Sequence, residues 1–194
     1  MRCFIAMPLP DPVCDRLEEV QKVLRAGRPV PRENLHLTLA FLDDQSAAVL
    51  EELHDGLSAI RVPPFDLRLA GLGVFGGSRP RVLHAEAEAS PALSGLHRRV
   101  RAAARMAGIE LPRERFRPHV TLARFGPSDA GMASAVAWAM RVHGGFTVAP
   151  FTIREFALLG STLMPDGPVY EVLADYPLAF QAGAEWDNRA PEDV

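Results

Sequence analysis

The sequence predicts an α+β fold, on three observations. Short apolar runs of strand length alternate with longer segments whose apolar residues recur at helical spacing. Turn signals place two pairs of those runs close enough for antiparallel hairpins, at about residues 65–89 and 150–176. One strand-like motif also occurs twice, 83 residues apart.

The elements follow in order. Phe4-Ile5-Ala6, within residues 2–8, reads as a buried first strand. Asp11-Pro12 signals a helix start, with Asp as N-cap and Pro at the first helical position. Val13, Leu17, Val20 and Leu24 form that helix's apolar face, and Gly27 marks its end. Pro29 and Pro31 impose an extended approach to a second strand over 35–42. Leu50, Leu53, Leu57 and Ile60 stripe a second helix from about 46 to 60, closed by Pro63-Pro64. Strands at 65–75 and 81–89 flank a Gly76-Gly77-Ser78-Arg79-Pro80 turn. A third helix, 91–107, turns Leu93, Leu96 and Val100 inward and stops at Gly108. A strand at 118–125, a helix at about 129–142 and strands at 150–161 and 168–176 complete the pattern, the last two separated by Pro165-Asp166-Gly167. Residues 1–180 carry no linker-like composition and read as one domain. The 181–194 tail is polar, acidic and without pattern, and is expected to be poorly ordered.

Composition narrows the class. Hydrophobic residues make up 48% and charged residues 23% of 194 positions, a globular balance. No apolar stretch approaches the roughly 18 residues of a membrane span. The N-terminal apolar run is shorter than a signal h-region, so a cytoplasmic protein is expected. Cys3 and Cys14, lacking C-x-x-C spacing, make neither a disulfide framework nor a thiolate metal site and are expected to be reduced. A net charge of −3 argues against a general nucleic-acid coater. Residues 97–124, however, hold eight arginines against Glu110 and Glu114, a local +6 that favours an anionic substrate.

The repeat carries the chemistry. Residues 35–42 read L-H-L-T-L-A-F-L and residues 118–125 read P-H-V-T-L-A-R-F. Six histidines and five threonines would produce roughly 0.15 H-x-T matches by chance, so two copies, each continued by Leu-Ala, are not compositional. On a strand, residues i and i+2 share a face, so each His projects beside its Thr. Two facing strands would bring two imidazoles and two hydroxyls to one cleft. Imidazole titrates near neutrality, so one ring can take a proton from water while the other gives one to a leaving group. His36 and His119 are the candidate catalysts. Thr38 and Thr121 can donate to phosphate oxygens, and Arg124 can neutralise phosphoryl charge. Phe41, at the position matching Arg124, can stack on a base or pack in the core. His54, His84, His97 and His143 are read as structural. Neither copy holds a carboxylate or the i+4 His of a helical zinc motif, so no metal and no cofactor is expected.

These motifs resemble the 2H phosphoesterase superfamily, and within it the bacterial and archaeal RNA 2′,3′-cyclic phosphodiesterases, also called 2′-5′ RNA ligases. Arg2-x-Phe4-Ile5-Ala6, residues 34–42, residues 117–124 and the closing Gly167-Pro168-Val169-Tyr170 carry the resemblance, which spans about residues 2–178. That family often continues the first motif as Phe-Leu-Gly, whereas Asp43-Asp44 follows Phe41-Leu42 here. The resemblance implies two pseudo-symmetric α+β lobes with antiparallel sheets flanking a central cleft, one motif strand from each. It implies hydrolysis of an RNA-terminal 2′,3′-cyclic phosphate to a 2′-phosphomonoester, with possible reverse 2′-5′ ligation. His36 would be the proton donor and His119 the base, with Thr38, Thr121 and Arg124 on the phosphate. The expected partner is an RNA or nucleotide with a cyclic phosphate end, the protein acting as a monomer. Alternatives are a phosphodiesterase for small cyclic nucleotides or 2′-5′ oligonucleotides, and a non-catalytic RNA- or nucleotide-binding module.

Overall fold

The computed structural model describes residues 1–77, 79–113, 115–126, 129, 131–165 and 167–179. Ser78, Glu114, Asp166 and the 181–194 tail, on which expectations above fall, lie outside the described residues.

The chain runs through two similar series of elements. The first is β1 (Arg2–Pro8), α1 (Asp11–Lys22), a two-residue β2 (Arg28–Pro29), β3 (His36–Asp44), α2 (Ala47–Ser58), β4 (Phe65–Leu67) and β5 (Leu69–Phe75). The second is β6 (Val82–Ala87), α3 (Pro91–Met106), β7 (His119–Arg124), α4 (Met132–Val142), β8 (Phe151–Ile153) and β9 (Glu155–Met164), with β10 (Gly167–Pro177) added. The expected strands at 65–75 and 150–161 are each broken once, at Arg68 and Arg154. The break lets β4 and β8 pair with each other in a separate two-stranded ribbon.

The main sheet has the order β10-β9-β1-β3-β7-β6-β5, with β2 also on β7. Its neighbours are antiparallel. About the β3–β7 seam the order β9-β1-β3 mirrors β5-β6-β7. Each series therefore sends its last long strand into the other half: β5 pairs with β6, and β9 with β1. The two motif strands, β3 and β7, meet at one register pair, Leu37 with Val120. The motif strands thus lie edge to edge in one sheet, and antiparallel pairing sets His36 toward Thr121 and Thr38 toward His119. Leu37 and Val120 are fully buried on the opposite face, in one core with Ile5, Leu17, Leu96 and Val100. Each such side chain contributes about 1.5–3 kcal/mol by burial, which makes a one-residue register slip of either motif strand prohibitive.

Helix starts follow local chemistry, with one correction. Ser46 and Ser90 cap α2 and α3, accepting from the backbone N–H of Val49 and Leu93. Asp11 is not the N-cap of α1: Pro10 holds that position without a side-chain cap, and Asp11 is already helical. The Asp11 carboxylate instead pairs with Arg32 at 2.9 Å. α1 also ends at Lys22, well short of Gly27, because the chain must turn early for β2 to reach β7.

Candidate active site

The Leu-Ala of each motif copy forms a β-bulge. On β3, Thr38 pairs with Ala6 and Ala40 with Ile5, which leaves Leu39 unpaired between them. On β7, Thr121 pairs with His84 and Ala123 with Leu83, which leaves Leu122 unpaired. Strict alternation would turn the fifth residue after each His away from it. The extra residue restores that position to the His face, so both Leu-Ala pairs are buried while Phe41 and Arg124 emerge on the side of the imidazoles.

The two imidazoles are held by the same device. The Nδ1–H of His36 donates to the Asn34 carbonyl at 2.8 Å, and that of His119 to the Arg117 carbonyl at 2.7 Å. A carbonyl only accepts, so each Nδ1 keeps its proton and each Nε2 is left with a lone pair. Thr38 Oγ1 lies 3.1 Å from His36 Nε2, where its hydroxyl donates. The residues that supply these carbonyls are themselves fixed on the first side. Asn34 is buried and its Nδ2 donates to the Pro168 carbonyl at 2.8 Å, tying the first motif to β10. Arg32 anchors the same turn on α1 through Asp11, Asp15 and Glu18, at 2.9, 2.7 and 3.0 Å.

Aromatic neighbours complete each side. His36 lies 4.9 Å from the Phe4 ring and 5.5 Å, edge-on, from Tyr170. His119 lies 4.9 Å from Phe75 and 5.0 Å from His84, both edge-on. His84 stacks on Phe75 at 4.1 Å, is 4% exposed, and its Nδ1 has no hydrogen-bond partner. Gly73, opposite it on β5, makes room: a Cβ there would come within 2.4 Å of His84 Nε2. His84 therefore stays out of acid–base candidacy but shapes the bed of His119. Phe4 and Tyr170 stand within the segments that carried the family resemblance. No local pattern marked Phe75 or His84.

Electrostatics favour neutral rings. Burial, together with the positive charge of Arg124, pushes His36 down to about 4. Burial also lowers His119, again with Arg124 contributing. The positive charge of Arg124 thus acts on both rings in the same direction. Thr121 is half-buried on the same face, and Phe41, 61% exposed, is no core residue. Phe41, Thr38 and His119 line a cleft of about 510 Å³. Among the described residues, no three of His, Cys, Asp and Glu converge as a metal-binding group, and no helix is long and apolar enough to cross a membrane.

Asp43 explains the departure from Phe-Leu-Gly. Its φ is +55°, in the left-handed region that glycine adopts freely and Asp adopts at a cost. Asp43→Gly is expected to leave stability unchanged or raise it by up to about 1 kcal/mol, checked by urea denaturation. A loss of more than that would show the Arg2 contact at 3.8 Å to be stabilising.

Fold and site together define a class: two antiparallel halves, each presenting a bulged H-x-T-L-A strand to a shared cleft. The chain belongs to the 2′-5′ RNA ligase superfamily, whose family model matches residues 9–162. A Thermus thermophilus protein named RNA 2′,3′-cyclic phosphodiesterase is 37% identical over 202 residues, covering 95% of this chain and 94% of that relative. An Escherichia coli protein of the same name is 35% identical, covering 83% and 87%. A crystal structure from Thermus thermophilus superposes with a TM-score of 0.77 at 32% identity, covering 93% of this chain and all of that one. The E. coli LigT structure complexed with phosphate gives 0.69 at 28% identity, covering 92% and 97%.

Proposed function

We propose that this chain hydrolyses an RNA-terminal 2′,3′-cyclic phosphate to a 2′-phosphomonoester without a metal, by proton transfer through His36 and His119. The observation that carries the reading is the matched pair of imidazoles, each with Nδ1 tied to a backbone carbonyl and Nε2 left to exchange a proton. The relatives named RNA 2′,3′-cyclic phosphodiesterase support the substrate.

In this reading water attacks phosphorus as His119 Nε2 takes its proton. The P–O3′ bond breaks and protonated His36 gives its proton to the departing 3′ oxygen. Net addition of one water leaves the phosphate on the 2′ oxygen. Thr38 and Thr121 donate to non-bridging oxygens, Arg124 offsets the charge that grows there, and Phe41 meets the terminal base at the rim. The donor needs a proton that burial and Arg124 disfavour. An incoming phosphate anion opposes the effect of Arg124 and makes one imidazolium admissible. The choice of His36 as donor rests on the family resemblance.

Residues 1–180 would act as one bilobal unit, since each half borrows a strand from the other. The buried, unpaired Cys3 and Cys14 fit a reducing compartment, the cytoplasm, where the protein would work as a monomer.

Product analysis tests the reading. A nucleoside 2′,3′-cyclic phosphate incubated with the protein in chelator should yield the 2′-phosphate alone. A 3′-phosphate product, or activity lost to the chelator, would overturn it.

A further inference from the structure

The pseudo-twofold symmetry breaks at one place beside the seam. On the β7 side, the segment preceding the first motif lies along the strand edge: β2 pairs with Arg124 and Ala123, and the Val30 N–H donates to the Leu122 carbonyl at 2.8 Å. On the β3 side, the described residues of the corresponding segment before the second motif, 111–113 and 115–118, form no strand pairing with β3. Beyond Leu37 the outer edge of β3 has no strand partner among the described residues. The gap is the cleft of about 510 Å³, and it runs from Thr38 and His119 outward past Phe41 to Asp43.

The wall facing β3 is basic and aromatic. Of the eight arginines in the 97–124 segment, Arg101, Arg115 and Arg117 line this groove. Arg101 also braces the wall, donating to the Pro112 carbonyl at 2.7 Å. Phe116 lies flat on His97, with ring centres 3.8 Å apart and planes 9° apart, which makes a two-ring platform. Burial beside Arg101 and Arg98 lowers His97 to about 4, so the platform is uncharged at neutral pH. Asp43 is the one acidic side chain on the lining among the described residues. Guanidinium groups at the rim and stacked rings between them are the chemistry that holds a single-stranded nucleic acid.

We propose that this groove binds the RNA strand immediately 5′ of the terminal cyclic phosphate, with Arg101 and Arg115 on its phosphodiesters and Phe116 under a base. The inference rests on the hydrolase reading above and deepens it: the substrate is an oligonucleotide end rather than a free nucleotide. The groove leaves the catalytic pair from the Thr38–His119 side, opposite Arg124, so an upstream strand enters without displacing the group that faces the reacting phosphate.

The test compares a mononucleoside 2′,3′-cyclic phosphate with a trinucleotide ending in the same group. In the wild type the trinucleotide should show a kcat/KM about tenfold higher or more, expressed in KM. Its log kcat/KM should fall more steeply with log salt, by about 0.7 for each added phosphate contact. Arg115→Gln, at an exposed position, should remove most of that advantage and leave mononucleotide turnover unchanged. Asp43→Asn should enlarge the advantage. Equal kcat/KM for the two substrates in the wild type, or an Arg115→Gln loss shared equally by both, would overturn the proposal. Binding of the trinucleotide 2′-phosphate, read by fluorescence anisotropy, separates the two readings. If neither cyclic substrate is turned over yet the trinucleotide still binds through Arg115, the hydrolase reading fails and the groove stands. If Arg115→Gln does not weaken binding, the groove fails.

Discussion

His36→Ala and His119→Ala should each lose at least about 10² in turnover while remaining folded, because in the proposed mechanism each removes one of two proton transfers. Their effects should not multiply. With one partner gone the other cannot complete the relay, so the double variant should be little worse than the poorer single one. The pH profile adds a sharper expectation. The base works above its pKa and the acid below its own. Both imidazoles are held under the 6.5 of an unperturbed ring, His36 at about 4, so both limbs move to lower pH. The maximum of kcat/KM, which reports the free protein, should therefore lie below pH 6.5, with apparent values that belong to the coupled pair. The kcat profile should sit higher, because bound phosphate favours the imidazolium. Retained activity in both single variants would remove the acid–base reading. A kcat/KM maximum above about pH 7 would show that the rings are not held neutral by burial.

The second large effect concerns stability. His84 is 4% exposed, and burial beside His119 and Arg117 lowers it from 6.5 to about 4. The folded protein favours its neutral form, so its contribution is complete above pH 6.5. It erodes as pH falls through that value and is gone near pH 4. The shift corresponds to about 3 kcal/mol for this one group over the window. His36 and His97 move in the same direction. The urea midpoint should accordingly fall between about pH 7 and about pH 4.5, before most carboxylates titrate. His84→Phe keeps a ring on Phe75 and should flatten that slope. A midpoint constant over this range, or a His84→Phe slope equal to the wild type's, would contradict the assignment.

Much of this protein is written locally. The alternation of Leu35, Leu37 and Leu39 against His36 and Thr38 follows from the two-residue strand period, and it places each His beside its Thr without reference to anything distant. The helix stripes and the β9–β10 and β5–β6 hairpins are equally local. The duplication of H-x-T-L-A is visible by inspection, and with it the family. Asp11 shows the limit of such signals. Asp-Pro looks like a cap and a helix start, yet the carboxylate turns to Arg32, 21 residues away.

Tertiary structure decided the rest, because it depends on pairs that no local pattern records. Arg124 reaches the imidazoles only through a bulge created by how β7 registers on β6, and Phe41 emerges through the matching bulge of β3 on β1. The strand exchange that joins the halves, and the rings of Phe4, Tyr170, Phe75 and His84 around the two histidines, come from sheet order. The depressed imidazoles come from burial, which is a property of the packed sheet rather than of H-x-T. The arginine-rich segment was conspicuous as composition, but only the fold shows that Arg101, Arg115 and Arg117 face the cleft. Periodicity determines which face of a strand a side chain takes. Which strands then lie side by side is settled by packing the whole chain into one core.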